Sequence, residues 1–376
     1  MAKRVSFASN QASQAVSAEN YTPNILRTGY DNVLAHRTSE LYSKVAKDEG
    51  TVTKVTDDVI QVTYKDGTVD AYGLGLAIGE ASGEFHRHTK VTDLKVGDKF
   101  NKGDVIGWDR QWFERDLFCP GQVAWKCGKM VRIALTEDSS VFEDSLVISR
   151  AFAKECITPY LKRNVFMVNA EDVITMYAKL GMDVVYDTIL CDIEDSSLEN
   201  VENTNPGFEG IQRIGVRQIK SVHHGKIVNI DVRYNAPLET MSNSVKSFVQ
   251  TIDRDLARKA KLTNSPVVNS SVSTSLNVKK QSVPYGKVKI VVYIESLDGS
   301  VSADKYVVGN QMKGTVGEVM EHELKTLSGL VVDVKFSFKS LLNRMVLSLR
   351  NKMCTCELAI HFTKKAINVY DTGKPE

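Results

Sequence analysis

Three places in this sequence combine reactive residue types with a spacing that lets them act together. Glu143 and Asp144 stand side by side between Phe142 and the apolar run Leu146-Val147-Ile148, at a predicted loop-to-strand junction. Adjacent carboxylates offer hard oxygen donors to a divalent cation or its water shell, and a solvated surface turn can carry the same two acids. Lys305 and Lys313 lie eight residues apart in ADKYVVGNQMKGTVG, where Gly309, Gly314 and Gly317 permit close backbone approach to a ligand. Two ammonium groups on such a segment suit phosphate; solvated lysines are the ordinary alternative. Arg344 follows an apolar stretch and precedes Met345, which predicts a guanidinium turned inward to meet an anion.

Other reactive residues carry less. Cys354 and Cys356 form half of a zinc pattern, but no second Cys/His pair follows at ligand spacing, so they read as packing residues. His86 and His88 alternate in a predicted extended segment, and His223 and His224 precede Gly225 in a predicted turn; neither pair has a third ligand nearby. The cysteines, Cys119, Cys127, Cys156, Cys191, Cys354 and Cys356, are scattered without a CxxC pair, as reduced thiols are.

The elements that must position these groups are mostly short strands. From Gly50, GTVTKVTDDVIQVTYKDGTVDAYGLGL alternates apolar and polar residues at Val52, Val55, Ile60, Val62 and Tyr64, with Lys65-Asp66-Gly67 as the turn of a hairpin. KVGDKFNKGDVIGWD repeats the pattern with turns at Gly97-Asp98 and Gly103-Asp104, and little helix is expected until Val147–Glu155. Residues 191–209 hold six acids and no Lys or Arg around Asn-Pro-Gly, which reads as a solvated loop. Farther on, Val245, Phe248, Val249, Ile252 and Leu256 fall on one face of an amphipathic helix. A Ser/Asn-rich linker then leads to a boundary near Tyr285 and to renewed strand character. The first ~35 residues are Ser/Asn/Ala-rich and suit an arm that orders only against a partner.

The totals are those of an ordinary globular protein: 376 residues, 42% hydrophobic, 25% charged and a net charge of +2. So small a charge provides no overall basic field, so any nucleic-acid contact must come from local patches. No apolar run of about 18 residues or signal-peptide core is present, so neither a membrane span nor secretion is expected.

Taken together, these residues resemble one family. FEDSLVISR, Phe142–Arg150, resembles the FED-S-I-V-I-S-E signature of the beta subunit of cellular, multi-subunit DNA-directed RNA polymerases. Upstream, VAKDEGTVTKVTDDVIQVTYKDG and LKVGDKFNKGDVIGWD resemble that subunit's text in the same order, and downstream GKIVNIDV is similar to its Gly-x-Val strand. The family's active-site lysines occur in Asp-Lys-Met and Asn-Lys-Gly, eight residues apart; here Asp304-Lys305-Tyr306 and Met312-Lys313-Gly314 keep that spacing. Its Arg-Met, about forty residues after the first lysine, is matched by Arg344-Met345. The resemblance covers Val45 to Leu349. It departs where the family has Gly-Arg-His-Gly between the lysines and this chain has Val308-Gly309-Asn310-Gln311, and where Asn-Ile-Gly-Gln becomes Val346-Leu347-Ser348-Leu349.

The resemblance implies a mainly β, α+β fold built on a double-psi β-barrel with a flap-like insertion. It divides the chain into an arm (1–44), a first barrel and hybrid-binding part with FED (45–150), a reduced flap-like insertion and linker (151–285), a second barrel part (286–350) and a tail (351–376). It implies catalytic roles for Glu143, Asp144, Lys305, Lys313 and Arg344, with the last three binding substrate. Glu143 and Asp144 would hold, through water, the second Mg²⁺ that arrives with the nucleotide. No NADFDGD-type loop is present, so the primary Mg²⁺ is expected from a beta-prime-like chain. Partners would be other beta-like and beta-prime-like chains, DNA template, RNA product and nucleoside triphosphates, with no membrane, and the chain alone would be inactive. Its divergence and its end soon after Arg344 resemble the split beta pieces of large-bacteriophage polymerases, acting in the infected host's cytoplasm or packaged in the virion. The alternatives are a catalytically decayed nucleic-acid-binding or assembly protein, or a structural virion protein, that kept the barrel.

Overall fold

The computed structural model describes residues 16–23, 30–81, 84–195, 216–263, 265–266, 270–272, 283–309, 312–327, 329–344 and 347–373. Residues 196–209 of the acidic loop, most of the Ser/Asn-rich linker, and Asn310, Gln311, Met345 and Val346 lie outside these. Strand outweighs helix, as expected. The chain divides into two compact units, each assembled from separated segments: Met1–Val45, Trp108–Thr158 and Asp298–Glu376 in one, Ala46–Gly107 and Pro159–Leu297 in the other.

The first unit contains all five candidate site residues. Its main sheet has five strands, β1 (Ile133–Thr136), β2 (Ser145–Ser149), β3 (Lys305–Val307), β4 (Lys313–Met320) and β5 (Val334–Ser337), in the order β1-β5-β2-β4-β3. Two pairs are parallel and join segments far apart in sequence: β1 with β5, Ile133 opposite Val334, and β2 with β4, Ser145 opposite Thr315. β2 runs antiparallel to β5, with Leu146 opposite Phe336, and β3 antiparallel to β4. Leu146, Val147 and Ile148 are all fully buried, the continuous apolar run required of a strand covered on both faces. Among the described residues no sheet closes into a barrel.

Three helices complete this unit's core: α1 (Arg150–Glu155), α2 (Phe338–Asn343) and α3 (Leu347–Thr372). Ser149 caps α1, its side chain accepting the Phe152 N–H at 3.2 Å. Helix is therefore confined to 150–155, where the sequence suggested Val147–Glu155, because the branched run before it is paired on both sides. Phe152, Cys156, Met312, Val316, Phe336, Leu341 and Leu349 pack with Leu146 and Ile148. Part of the amino-terminal arm also orders against its own chain. Ser17 and Ala18 are buried, the Thr22 N–H bonds the Gly128 carbonyl at 2.8 Å, and residues Tyr30–Arg37 form a helix. For those residues the expectation that ordering needs a partner fails, because small buried side chains such as Ala18 and Ala35 let the segment pack closely.

In the second unit the hairpins and the long pair Gly225–Asn235 with Lys287–Asp298 are antiparallel. Gly50–Val55, Val59–Tyr64 and Val69–Gly73 form a meander whose second turn, through Gly67 at φ 81°, is the expected hairpin. A larger sheet places Glu84–Val91, Thr158–Asn169, Lys287–Asp298, Gly225–Asn235 and Asp183–Val184 in order. The predicted amphipathic helix is Asn243–Thr263, with Val245 and Val249 fully buried in the core cluster that also holds Ile290 and Ile294, and with Phe248 and Ile252 packed against that cluster.

Candidate functional site

The acid pair sits in an uncommon backbone. Glu143 and Asp144 have φ of 24° and 47°, two successive non-glycine residues with positive φ. Such a conformation costs roughly 1–2 kcal/mol per residue, so neighbouring contacts must hold it. The Asp144 N–H donates to Ser340 Oγ at 2.8 Å, and the Asp144 carbonyl accepts the Thr315 N–H at 2.8 Å. Arg344 Nη2 donates to Asp144 Oδ2 in an ion pair. Both acid side chains face solvent.

The lysine spacing resolves into strand register. Lys305 lies opposite Thr315 and Val307 opposite Lys313, so both lysines project from one face of the β3–β4 hairpin. Tyr306 and Gly314 face the other way, into the core, where the Tyr306 ring lies 5.8 Å from that of Phe152. A Cβ on Gly314 would lie 2.7 Å from Leu146 Cγ and 3.1 Å from the Asp144 carbonyl oxygen. Only glycine lets β4 approach the acid loop this closely. Thr315, the residue facing Lys305, is also the one whose N–H holds Asp144, so the lysine hairpin and the acid loop are hydrogen-bonded neighbours.

Arg344 terminates α2 and is exposed, contrary to the inward placement that the sequence suggested. Its anion is the surface carboxylate of Asp144. Glu143, Asp144, Ser340, Asn343 and Arg344 line an open recess of about 200 Å³. The structure thus joins Asp144 to Arg344 directly, and places Lys305 and Lys313 on the strand pair bonded to the Asp144 carbonyl. Ser340, Thr315, Asn343 and Glu137 do not stand out in the sequence; isolated hydroxyls, amides and a lone carboxylate carry no spacing signal.

Hydrogen bonding shapes the surroundings. Glu137 accepts from the Ser337 hydroxyl and from the Lys339 N–H, each at 2.6 Å, which hold its carboxyl below the usual range. Asp138, bonded by Lys335 and Ser140, lies far below it. Beneath the hairpin, burial pushes Tyr21 up to about 12 and raises Tyr306 and Cys156 as well. Among the described residues no group of three His, Cys, Asp or Glu side chains is placed to hold a metal ion. The donor set at Glu143 and Asp144 fits an ion shared with other ligands rather than one caged by this chain. Cys354 is exposed and Cys356 buried on α3, and His88 is buried in a strand. No described helix is long and apolar enough to cross a membrane.

No family model matches the chain. It is 24% identical over 331 residues to the DNA-directed RNA polymerase subunit beta of Leifsonia xyli subsp. xyli, covering 86% of this chain and 26% of that protein. The subunit beta of Tropheryma whipplei is 23% identical over 331 residues. That of Lactobacillus acidophilus is 23% identical over 327 residues, covering 85% of this chain and 25% of the relative. The chain is similar to these subunits and spans about a quarter of their length.

Proposed function

We propose that this chain is a catalytic-core subunit of a multi-subunit DNA-dependent RNA polymerase and supplies groups that contact the nucleotide and the RNA 3′ end. The observation that carries this reading is the β3–β4 hairpin, which directs Lys305 and Lys313 from one face while its Thr315 holds the acid loop that pairs with Arg344. In nucleotidyl transfer the RNA 3′ oxygen attacks the α-phosphorus, its proton is lost to solvent or a base, and the bond to the departing pyrophosphate breaks. Preorganised cations stabilise the charge that develops without having to reorient. Lys305 and Lys313 act on the 3′ end and the triphosphate. Arg344, with a fork of donors, acts on the phosphate tail. Glu143 and Asp144 would hold the Mg²⁺ that arrives with the nucleotide, and that ion would supply charge neutralisation for the phosphates. The primary Mg²⁺ belongs to a beta-prime-like partner.

The two parallel strand pairs that join distant segments of one unit support assigning the first unit to a double-psi barrel. In this reading the second unit includes the reduced flap-like insertion. In this reading the chain is a split, bacteriophage-type beta piece working in the host cytoplasm or from the virion. The test is templated extension of a preformed RNA–DNA scaffold. The complex purified through this chain should extend the RNA with Mg²⁺, and the isolated chain should not. Robust synthesis by the isolated chain, or none by the complex, would refute the assignment, the second outcome favouring a decayed nucleic-acid-binding or assembly protein.

A further inference from the structure

The acid loop is anchored from beneath by hydroxyl groups that have no part in the reaction just described. Ser337 and Ser340 are both buried, at 0% and 4% exposure, at the end of β5 and within α2. Thr136 and Ser337 are opposed across the parallel β1–β5 pair, and the next residue on β1's side, Glu137, accepts from the Ser337 hydroxyl at 2.6 Å. Ser337 Oγ in turn accepts the Ser340 N–H at 3.1 Å, and Ser340 Oγ accepts the Asp144 N–H at 2.8 Å. The connected groups run from an exposed carboxylate, through a helix cap, to the amide of a residue with positive φ.

We propose that Ser340 is a positioning residue for the Glu143–Asp144 pair, fixing the direction of both carboxylates through the Asp144 amide, and that Glu137 supports it by fixing the Ser337 cap. This inference rests on the reading of the acid pair as the carboxylates that hold the nucleotide-borne ion. A serine in a helix interior is a mediocre helix former, and its hydroxyl commonly competes with the backbone for hydrogen bonds. Here that hydroxyl is directed out of the helix to a loop whose dihedral angles are costly without a partner. Loss of the acceptor would leave the Asp144 N–H unpaired in a half-buried setting, and the loop would relax toward ordinary φ. The Asp144 carboxylate would then turn away from Arg344, which the same helix carries.

The experiment is single-nucleotide addition by the assembled complex, titrated with Mg²⁺, for wild type, Ser340→Ala, Ser340→Thr, Glu137→Ala and the Glu143→Ala/Asp144→Ala double variant. We expect Ser340→Ala to raise the half-saturating Mg²⁺ by about fivefold, the equivalent of one net hydrogen bond, with a smaller change in the rate at saturation. Ser340→Thr, which keeps the acceptor, should lie closer to wild type, and Glu137→Ala should shift the titration in the same direction as Ser340→Ala but less. A purely structural serine would change the amount of assembled complex and leave its Mg²⁺ dependence alone. A wild-type titration from Ser340→Ala, beside a raised requirement in the double acid variant, would overturn the positioning role and leave the acid-pair reading intact. No shift in either would overturn both. If Ser340→Ala fails to assemble, an unchanged titration in Glu137→Ala, whose substituted side chain is exposed, would overturn the proposal.

Discussion

Arg344 and Asp144, 200 residues apart in sequence, meet as an ion pair at the mouth of the recess between α2 and the loop before β2. The two side chains remain 38% and 52% exposed, and pairs so open to water contribute about 0–1 kcal/mol to stability. A guanidinium held so loosely is available to a stronger anion. Arg344→Ala should therefore leave the unfolding midpoint nearly unchanged and lower kcat/KM for the nucleotide by about 10-fold to 100-fold, the loss of a charge-assisted phosphate contact. Arg344→Lys should recover only part of this, because a point charge cannot make the forked contact. Steady-state nucleotide titrations on the assembled complex, alongside denaturation of the isolated chain, decide it. Wild-type kinetics from Arg344→Ala would leave the pair as a surface contact.

The lysines are held to a harder standard, since register places both on one face. If they stabilise phosphate charge in the transition state, changing Lys305 and Lys313 together to Ala should slow single-nucleotide addition at saturating nucleotide by about 10²-fold or more. Solvated surface lysines would alter stability by ~0.5 kcal/mol or less and leave the rate alone. Subunit content measured on the same sample separates failed assembly from failed chemistry, and a wild-type rate would end the assignment.

Local signals along the chain translate into local structure. Lys65-Asp66-Gly67 is a turn because Gly67 must take φ 81°, and Val245, Phe248, Val249 and Ile252 share a helix face because their spacing is helical. What could not be read is pairing between distant segments: nothing near Ser145 announces Thr315 as its parallel neighbour. The same applies to Arg344, whose apolar flank suggested burial, whereas Leu341 one turn earlier fills the core and the arginine at the helix end faces the acid loop. α3 is not legible in the sequence for another reason. Leu349, Met353 and Cys356 pack or are buried at helical spacing, but beyond them Phe362, Ile367 and Tyr370 are exposed, so its latter half carries no clear apolar stripe.

Gly314 makes the approach of the lysine hairpin to the acid loop testable. Gly314→Ala would put a Cβ 2.7 Å from Leu146 Cγ in a fully buried site, and should destabilise the chain by about 1–3 kcal/mol, as overpacking of a filled core does. Gly317→Ala is the control: its Cβ would meet the Ser145 hydroxyl at 3.0 Å and the Leu146 carbonyl oxygen at an ordinary 3.8 Å, and the strand there is exposed. Urea midpoints for both variants would show the difference, and equal, small effects would mean that the close contact is not needed.

Below the hairpin the structure also predicts a dependence on alkaline pH. Tyr21 is pushed up to about 12, first by burial and then by the nearby Cys156, Asp304 and Cys127, so its neutral phenol is favoured in the folded chain. An unfolded tyrosine ionises near its ordinary pKa of about 10. Between those values the unfolded state has lost the proton that the folded state retains, so stability must fall as pH rises. The contribution is fully present below about pH 10 and is lost progressively toward about 12. It amounts to something on the order of 2 kcal/mol across that window. Cys156, also raised by burial, adds a slope in the same direction that begins from the ordinary thiol range. Tyr21→Phe removes the titrating group and keeps the ring, so its urea midpoint should fall less steeply above pH 10 than that of wild type. Tyrosinate absorbance on the folded protein should show one fewer late-ionising residue in the variant. Parallel midpoint curves for the two proteins from pH 8 to 12 would mean that Tyr21 is not the buried phenol described here.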